Sequence, residues 1–215
     1  MGNSGGNYTP LTNGILVPFT KDQIINGFNK INFSGMLLNT IAGLTPIMKL
    51  NAVGAEAIAL FEKLSLTVYD NDGSVSGNAT IGFGHKLHSG SILTGDIKKI
   101  TFDQVSYFAG DIITAENTLN QKLENRGLTS KFTKDQYFAI VDMAYNGGNI
   151  VDKVIDAMKT GGITAATNAI NNSYLNAASD GEKIRRYFDA QAFTSGRILT
   201  PEESRTELVK LRIIK

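Results

Sequence analysis

The chain has 215 residues, 42% of them hydrophobic, which is enough apolar material for one fair-sized domain or two packed lobes with a real core. Its 21 lysines and arginines nearly cancel 20 aspartates and glutamates, so a formal charge of +1 excludes a bulk field that would draw it to nucleic acid or an acidic membrane. It has no cysteine, which excludes disulfides, thiolate metal sites and thiol nucleophiles.

The opening MGNSGGNYTPLTNG lacks the basic start and apolar run of a secretory signal, and Gly6 stands where myristoylation wants Ser or Thr. The apolar run over 33–48 is interrupted by Asn39, Thr40, Thr45 and Pro46 and is too short for a spanning helix. It reads as core or as a buried arm, and residues 1–50 together read as an N-terminal extension, an arm or delivery segment. From Asn51, a candidate N-cap, AVGAEAIALFEKL has helical period: Ala55, Ile58 and Ala59 share a face, and Glu62 falls on that face. A carboxylate on an apolar face needs a reason. From Leu64 the period changes to two, DNDGSVSGN supplies turn chemistry, and ATIGFGH returns as a second strand. After His88 the pattern turns helical. Helix starts are marked by the capping boxes Thr101/Gln104, Thr133/Gln136 and Thr200/Glu203, the last with Pro201 at the first helical position. Glycines at 127, 147–148, 161–162 and 181 are expected to break these helices. The organisation is a sheet-bearing lobe over 51–100 and a helical lobe over 101–215, with no internal repeat.

Glu62 at a helix end faces a hairpin that carries Asp70 and Asp72. Glycosidic bond hydrolysis needs two such carboxylates, one kept protonated in an apolar setting to donate and one ionised in a solvated setting. Spacing alone leaves other readings open: Glu62 as a solvated helix-end charge near Lys63, and Asp72-Gly73 as plain turn formers. A calcium loop counted from Asp70 fails, because Val75 occupies its glycine position and Ile81 its terminal glutamate position. His85 and His88 without a third ligand make a poor zinc site, and neither lies in a Ser or Cys nucleophile pattern.

FEKLSLTVYDNDG followed by GNATIGFGH resembles the catalytic segment of the bacteriophage-type lysozymes, glycoside hydrolase family 24, with Glu62, Leu66, Tyr69, Gly77, Thr80, Ile81, Gly82, Gly84 and His85 filling the pattern. FTKDQYFAIVDMAYNGG, with Gln136, Ala139 and Asn146-Gly147, is similar to the family's second-lobe helix, and RRYFDAQAF to its arginine-pair segment, so the resemblance covers about 51–195. Lys63 replaces the glycine that usually follows the glutamate, and Asp189 replaces a glutamate after the arginine pair. The hairpin is longer than the family's: Asn71 holds the usual aspartate position, and the family's spacing of six before Thr80 is missed by two for Asp72 and by four for Asp70. Asp72 is favoured, with Asp70 as the alternative.

The resemblance implies a lysozyme-like α+β fold with a small hairpin-bearing N-terminal lobe, a larger all-helical C-terminal lobe and a cleft between them for substrate. It implies an N-acetylmuramidase that cleaves the β-1,4 bond between N-acetylmuramic acid and N-acetylglucosamine by inversion, with no cofactor and no metal. Glu62, Asp72 and Thr80 would be catalytic. Tyr69, Gly82, His85 and Asn146 would bind substrate or support the site, His85 as scaffolding. The alternative is a non-catalytic cell-wall-binding or virion module that keeps the fold, against which the retained Glu62 and Thr80 argue. Peptidoglycan strands are the expected partner. Made in a bacterial or phage-infected cytoplasm without a signal peptide, the chain would reach the periplasmic wall through a holin, a tail or a secretion apparatus.

Overall fold

The structure is a computed structural model that describes residues 11–12, 15–16, 50, 52–62, 64–70, 77–97, 99 and 106–215. The predicted run over 33–48, the Asn51 cap, the Thr101/Gln104 capping box and the hairpin tip with Asp72 lie outside these residues. The described residues fall into two compact units, one within 2–40 and 59–111 and one within 41–58 and 112–215.

Among the described residues the sheet-bearing unit has five strands: β1 Leu11–Thr12, β2 Ile15–Leu16, β3 Leu64–Asp70, β4 Asn78–Phe83 and β5 His85–Ser89, in the order β2-β1-β3-β4-β5. β3, β4 and β5 form an antiparallel meander, and Leu11 of β1 pairs in parallel with Ser65. Its core is Ala59, Ala79, Ile81, Phe83 and Phe108, with the Phe83 and Phe108 rings 4.9 Å apart. The third strand differs from the sequence expectation, which ran helical pattern from His88. Gly84, at φ +82, turns the chain between β4 and β5, so the motif holds two strands joined at a glycine instead of one. The alternation in β3 also differs, since the polar Ser65 is buried and the β3–β4 register shifts between Ser65 and Tyr69. The Ser65 hydroxyl donates to the Thr67 carbonyl at 2.5 Å, so the buried polar atom is satisfied locally.

Helix α1, Ala52–Phe61, begins in the other unit, where Gly54 allows Leu50 and Phe138 to close on its backbone. That unit continues with α2 Ser106–Asn125, whose residues from 112 belong to it, α3 Lys134–Tyr145, α4 Ile150–Leu175, α5 Asp180–Ser195 and α6 Pro201–Lys210. Both capping boxes that can be described are formed. Thr133 and Thr200 accept from the backbone N–H of Gln136 and Glu203, whose side chains bond back to the cap N–H. Gly147 and Gly148, at φ +76 and +85, separate α3 from α4, and Gly162 interrupts α4 at φ +67. Gly181 breaks nothing: Ser179 is the cap, and Gly181 lies in the first turn of α5. Apolar Ile112, Leu119, Ile140, Ile155 and Phe188 are fully enclosed, and Phe138 meets Phe188 edge-on at 5.5 Å. Among the described residues no helix is long and apolar enough to cross a membrane.

Candidate active site

Glu62 is the first residue after α1, in the bend where helical period gives way to the strand period of β3. Its half-buried carboxylate lies over the α-carbon of Gly84, where an added β-carbon would stand 3.2 Å from Oε2. Glycine at 84 suits the left-handed backbone, and a side chain there would press on the Glu62 carboxylate. Tyr69 feels the same carboxylate: burial first, and the Glu62 charge second, push its phenol up to about 12.

Tyr69 stands opposite Thr80 in the β3–β4 ladder, so the two side chains leave the sheet on one side. Thr80 is 2% exposed, and its hydroxyl donates to the Asn78 carbonyl at 2.8 Å. Its oxygen lone pairs are what it has left to offer a water. Asp70 pairs with Ala79, and as the neighbour of Tyr69 in an extended strand it projects to the opposite side. There its carboxylate fills the space over Gly77, where an added β-carbon would collide with Oδ1. Gly82 is buried at φ +68 opposite Ser65. His85 Nδ1 is 2.9 Å from Asp111 Oδ2 and 3.0 Å from Oδ1, tying β5 to the start of α2. Burial holds the Asp111 carboxyl above the usual range, and the His85 hydrogen bond opposes that rise.

Glu62, Tyr69, Thr80, Gly82, Gly84 and His85 therefore belong to the sheet-bearing unit, as does Asp70, whose side chain lies on the opposite side of the sheet from Tyr69 and Thr80. Asn146 belongs to the helical unit, where it is exposed and ends α3, its N–H donating to the Asp142 carbonyl at 2.9 Å. Sequence reasoning missed Asp111 as the partner of His85. An aspartate 26 positions away in an unremarkable helical pattern carries no local signal. Among the described residues no group of three or more His, Asp or Glu side chains could hold a metal ion. The helical unit also contains a cavity of about 650 Å³, bordered by Gly148, Asn149, Lys153, Asn172, Ser173 and Arg186.

A carboxylate at a helix end, seated on a glycine of an antiparallel meander and joined to a body of helices, defines a lysozyme-like α+β protein. Among solved structures, the endolysin from Escherichia coli O157:H7 phage FAHEc1 shares this fold, with a TM-score of 0.55 and 24% identity over 70% of this chain and 96% of that one. No curated protein sequence matches the chain. The profile of the family described as phage lysozyme matches residues 59–187, a span that runs from the end of α1 through the arginine pair of α5. The chain belongs to the phage lysozyme family, and that membership implies a peptidoglycan hydrolase.

Proposed function

We propose that the chain cleaves the β-1,4 bond between N-acetylmuramic acid and N-acetylglucosamine with inversion, Glu62 acting as the general acid. The observation that carries this reading is the seat of the Glu62 carboxylate on Gly84, beside Tyr69 and on a sheet whose Tyr69–Thr80 side is shared. Glu62 gives its proton to the leaving glycosidic oxygen as the C1–O bond breaks. A water attacks C1 from the opposite face and loses its proton to a carboxylate, so the product is the α-anomer. The Thr80 oxygen, already donating to Asn78, accepts from that water and aims its lone pair.

Asp72 is the water-side carboxylate in this reading. Asp70 supports the choice by default, because its side chain occupies the space over Gly77, on the side away from Thr80. Residues 1–50 act as an arm or delivery segment outside the chemistry, and a holin, tail or secretion apparatus brings the protein to the periplasmic wall. The test is clearing of permeabilised Gram-negative cells by wild type and by Glu62→Gln, with the anomer first released from a defined glycan followed by NMR. Loss of ~100-fold or more in the variant, as for a lost general acid, and an α product are expected. A variant that clears cells like wild type removes Glu62 from the reaction, and a β product removes the water-side scheme.

A further inference from the structure

Two aspartates and two arginines of α3 and α5 are buried together in the helical unit. Asp142 of α3 is fully buried, and Arg185 of α5 grips it in a fork, Nε to Oδ2 at 3.0 Å and Nη2 to Oδ1 at 2.9 Å. The next residue, Arg186, donates from Nη1 to Asp189 Oδ2 at 2.8 Å, one turn on along α5, and Asp189 is also fully buried. The two carboxyls are close enough for each to act on the other, by charge and as a hydrogen-bonding neighbour. Yet Asp189 Oδ1 is enclosed and no donor among the described residues reaches it. Two ionised carboxylates cannot hydrogen-bond, since both only accept. A buried oxygen without a donor destabilises the fold, and the like charge next to it adds to that. One proton removes both penalties.

We propose that Asp142 and Asp189 share one proton, carried on Asp189 Oδ1 and donated to the Asp142 carboxylate, so that a buried acid pins α5 to α3 and is withdrawn as the solution becomes alkaline. The proton sits on Asp189 because the Arg185 fork stabilises the charge on Asp142. Directions of titration agree: burial, then the Asp142 charge, raises Asp189 well above the carboxylate range. Burial opposes ionisation of Asp142 too, but the Arg185 charge and hydrogen bonds hold it below that range. Around the pair, α5 contributes Arg185 and Arg186, and α3 contributes Asp142 itself. α4 brings Lys153 to the cavity that Arg186 borders, and Glu207 of α6 is taken up by Tyr187 and Arg197.

The sign follows from the raised carboxyl. In the range between the ordinary carboxylate value and that of folded Asp189, the native state holds one more proton than the unfolded chain. Stability from this group is full below the ordinary value and is lost as pH rises toward the folded one, by about tenfold in the unfolding equilibrium per pH unit. The experiment is a pH titration of the full chain with ¹³C-labelled aspartate carboxyls, assigned through the backbone, beside urea unfolding of wild type and Asp189→Asn. Asp189 should keep the shift of a protonated acid at neutral pH while Asp142 stays ionised into the acid range. Asp189→Asn, whose amide donates to Asp142 and whose oxygen accepts from Arg186, should stay folded and lose the alkaline decline in stability. An Asp189 carboxyl that titrates in or below the ordinary range overturns the proposal, and so does a folded Asp189→Asn that keeps the wild-type pH slope. If the variant does not fold, the wild-type titration alone decides.

Discussion

Replacing Gly84 by alanine separates what the glycine does for the backbone from what it does for Glu62. At φ +82 an alanine meets the left-handed penalty of about 1–2 kcal/mol. In a domain of this size that lowers Tm by about 2–8 °C, at roughly 2–4 °C per kcal/mol. The new β-carbon also arrives 3.2 Å from Glu62 Oε2 and 3.8 Å from its Cδ, so the carboxylate must move by a few tenths of an ångström. The end of a flexible side chain moves at little cost in stability, but catalysis is less forgiving. If a 1 Å misplacement costs about 100-fold, a shift of 0.3–0.5 Å scales to roughly four- to tenfold in turnover. Gly90 is the matched control: its φ is +94, and nothing lies within 4 Å of its would-be β-carbon. Gly84→Ala and Gly90→Ala should lose similar amounts of Tm by calorimetry, while only Gly84→Ala slows hydrolysis of purified peptidoglycan at a temperature where both are folded. Equal turnover in the two variants would refute the placement of Glu62 as a working acid over Gly84.

Three further outcomes follow from the geometry. Ultraviolet difference titration should find two tyrosines ionising near 12, Tyr69 and Tyr187; Tyr69→Phe should remove one of them and Glu62→Gln should shift that same one downward, because removing the neighbouring negative charge favours the phenolate. Gly77→Ala should destabilise the hairpin by driving its β-carbon into the Asp70 carboxylate, and the double variant Asp70→Ala/Gly77→Ala should recover much of that loss in urea unfolding. Thr133→Ala and Thr200→Ala should each cost about 1 kcal/mol by the same measure, with hydrolysis unchanged, because each removes one half of a capping box far in sequence from Glu62.

What was legible in the sequence was what neighbours along the chain decide. Thr133 and Thr200 cap their helices through residues three positions on, so the pattern contains the whole interaction. Glu62 was visible because a carboxylate on the Ile58/Ala59 face breaks a local period, and both of those residues are fully buried. The strand β5 was not visible, because Gly84 reads as part of one strand until its φ is known, and a glycine that turns the chain looks the same in sequence as one that admits a neighbour. Here it does both. The side to which Asp70 points depends on its pairing with Ala79, and a long hairpin leaves that register open from sequence. The pairing of His85 with Asp111, and of Asp142 with Arg185, spans 26 and 43 positions. No pattern in the segment that holds one partner depends on the other. Asp189 stood out only as a departure from the arginine-pair motif, and the departure has physical content. The aspartate at 189 holds Arg186 from one helical turn away while its second oxygen stays enclosed, and that leaves the neighbouring Asp142 as the group that can share its proton.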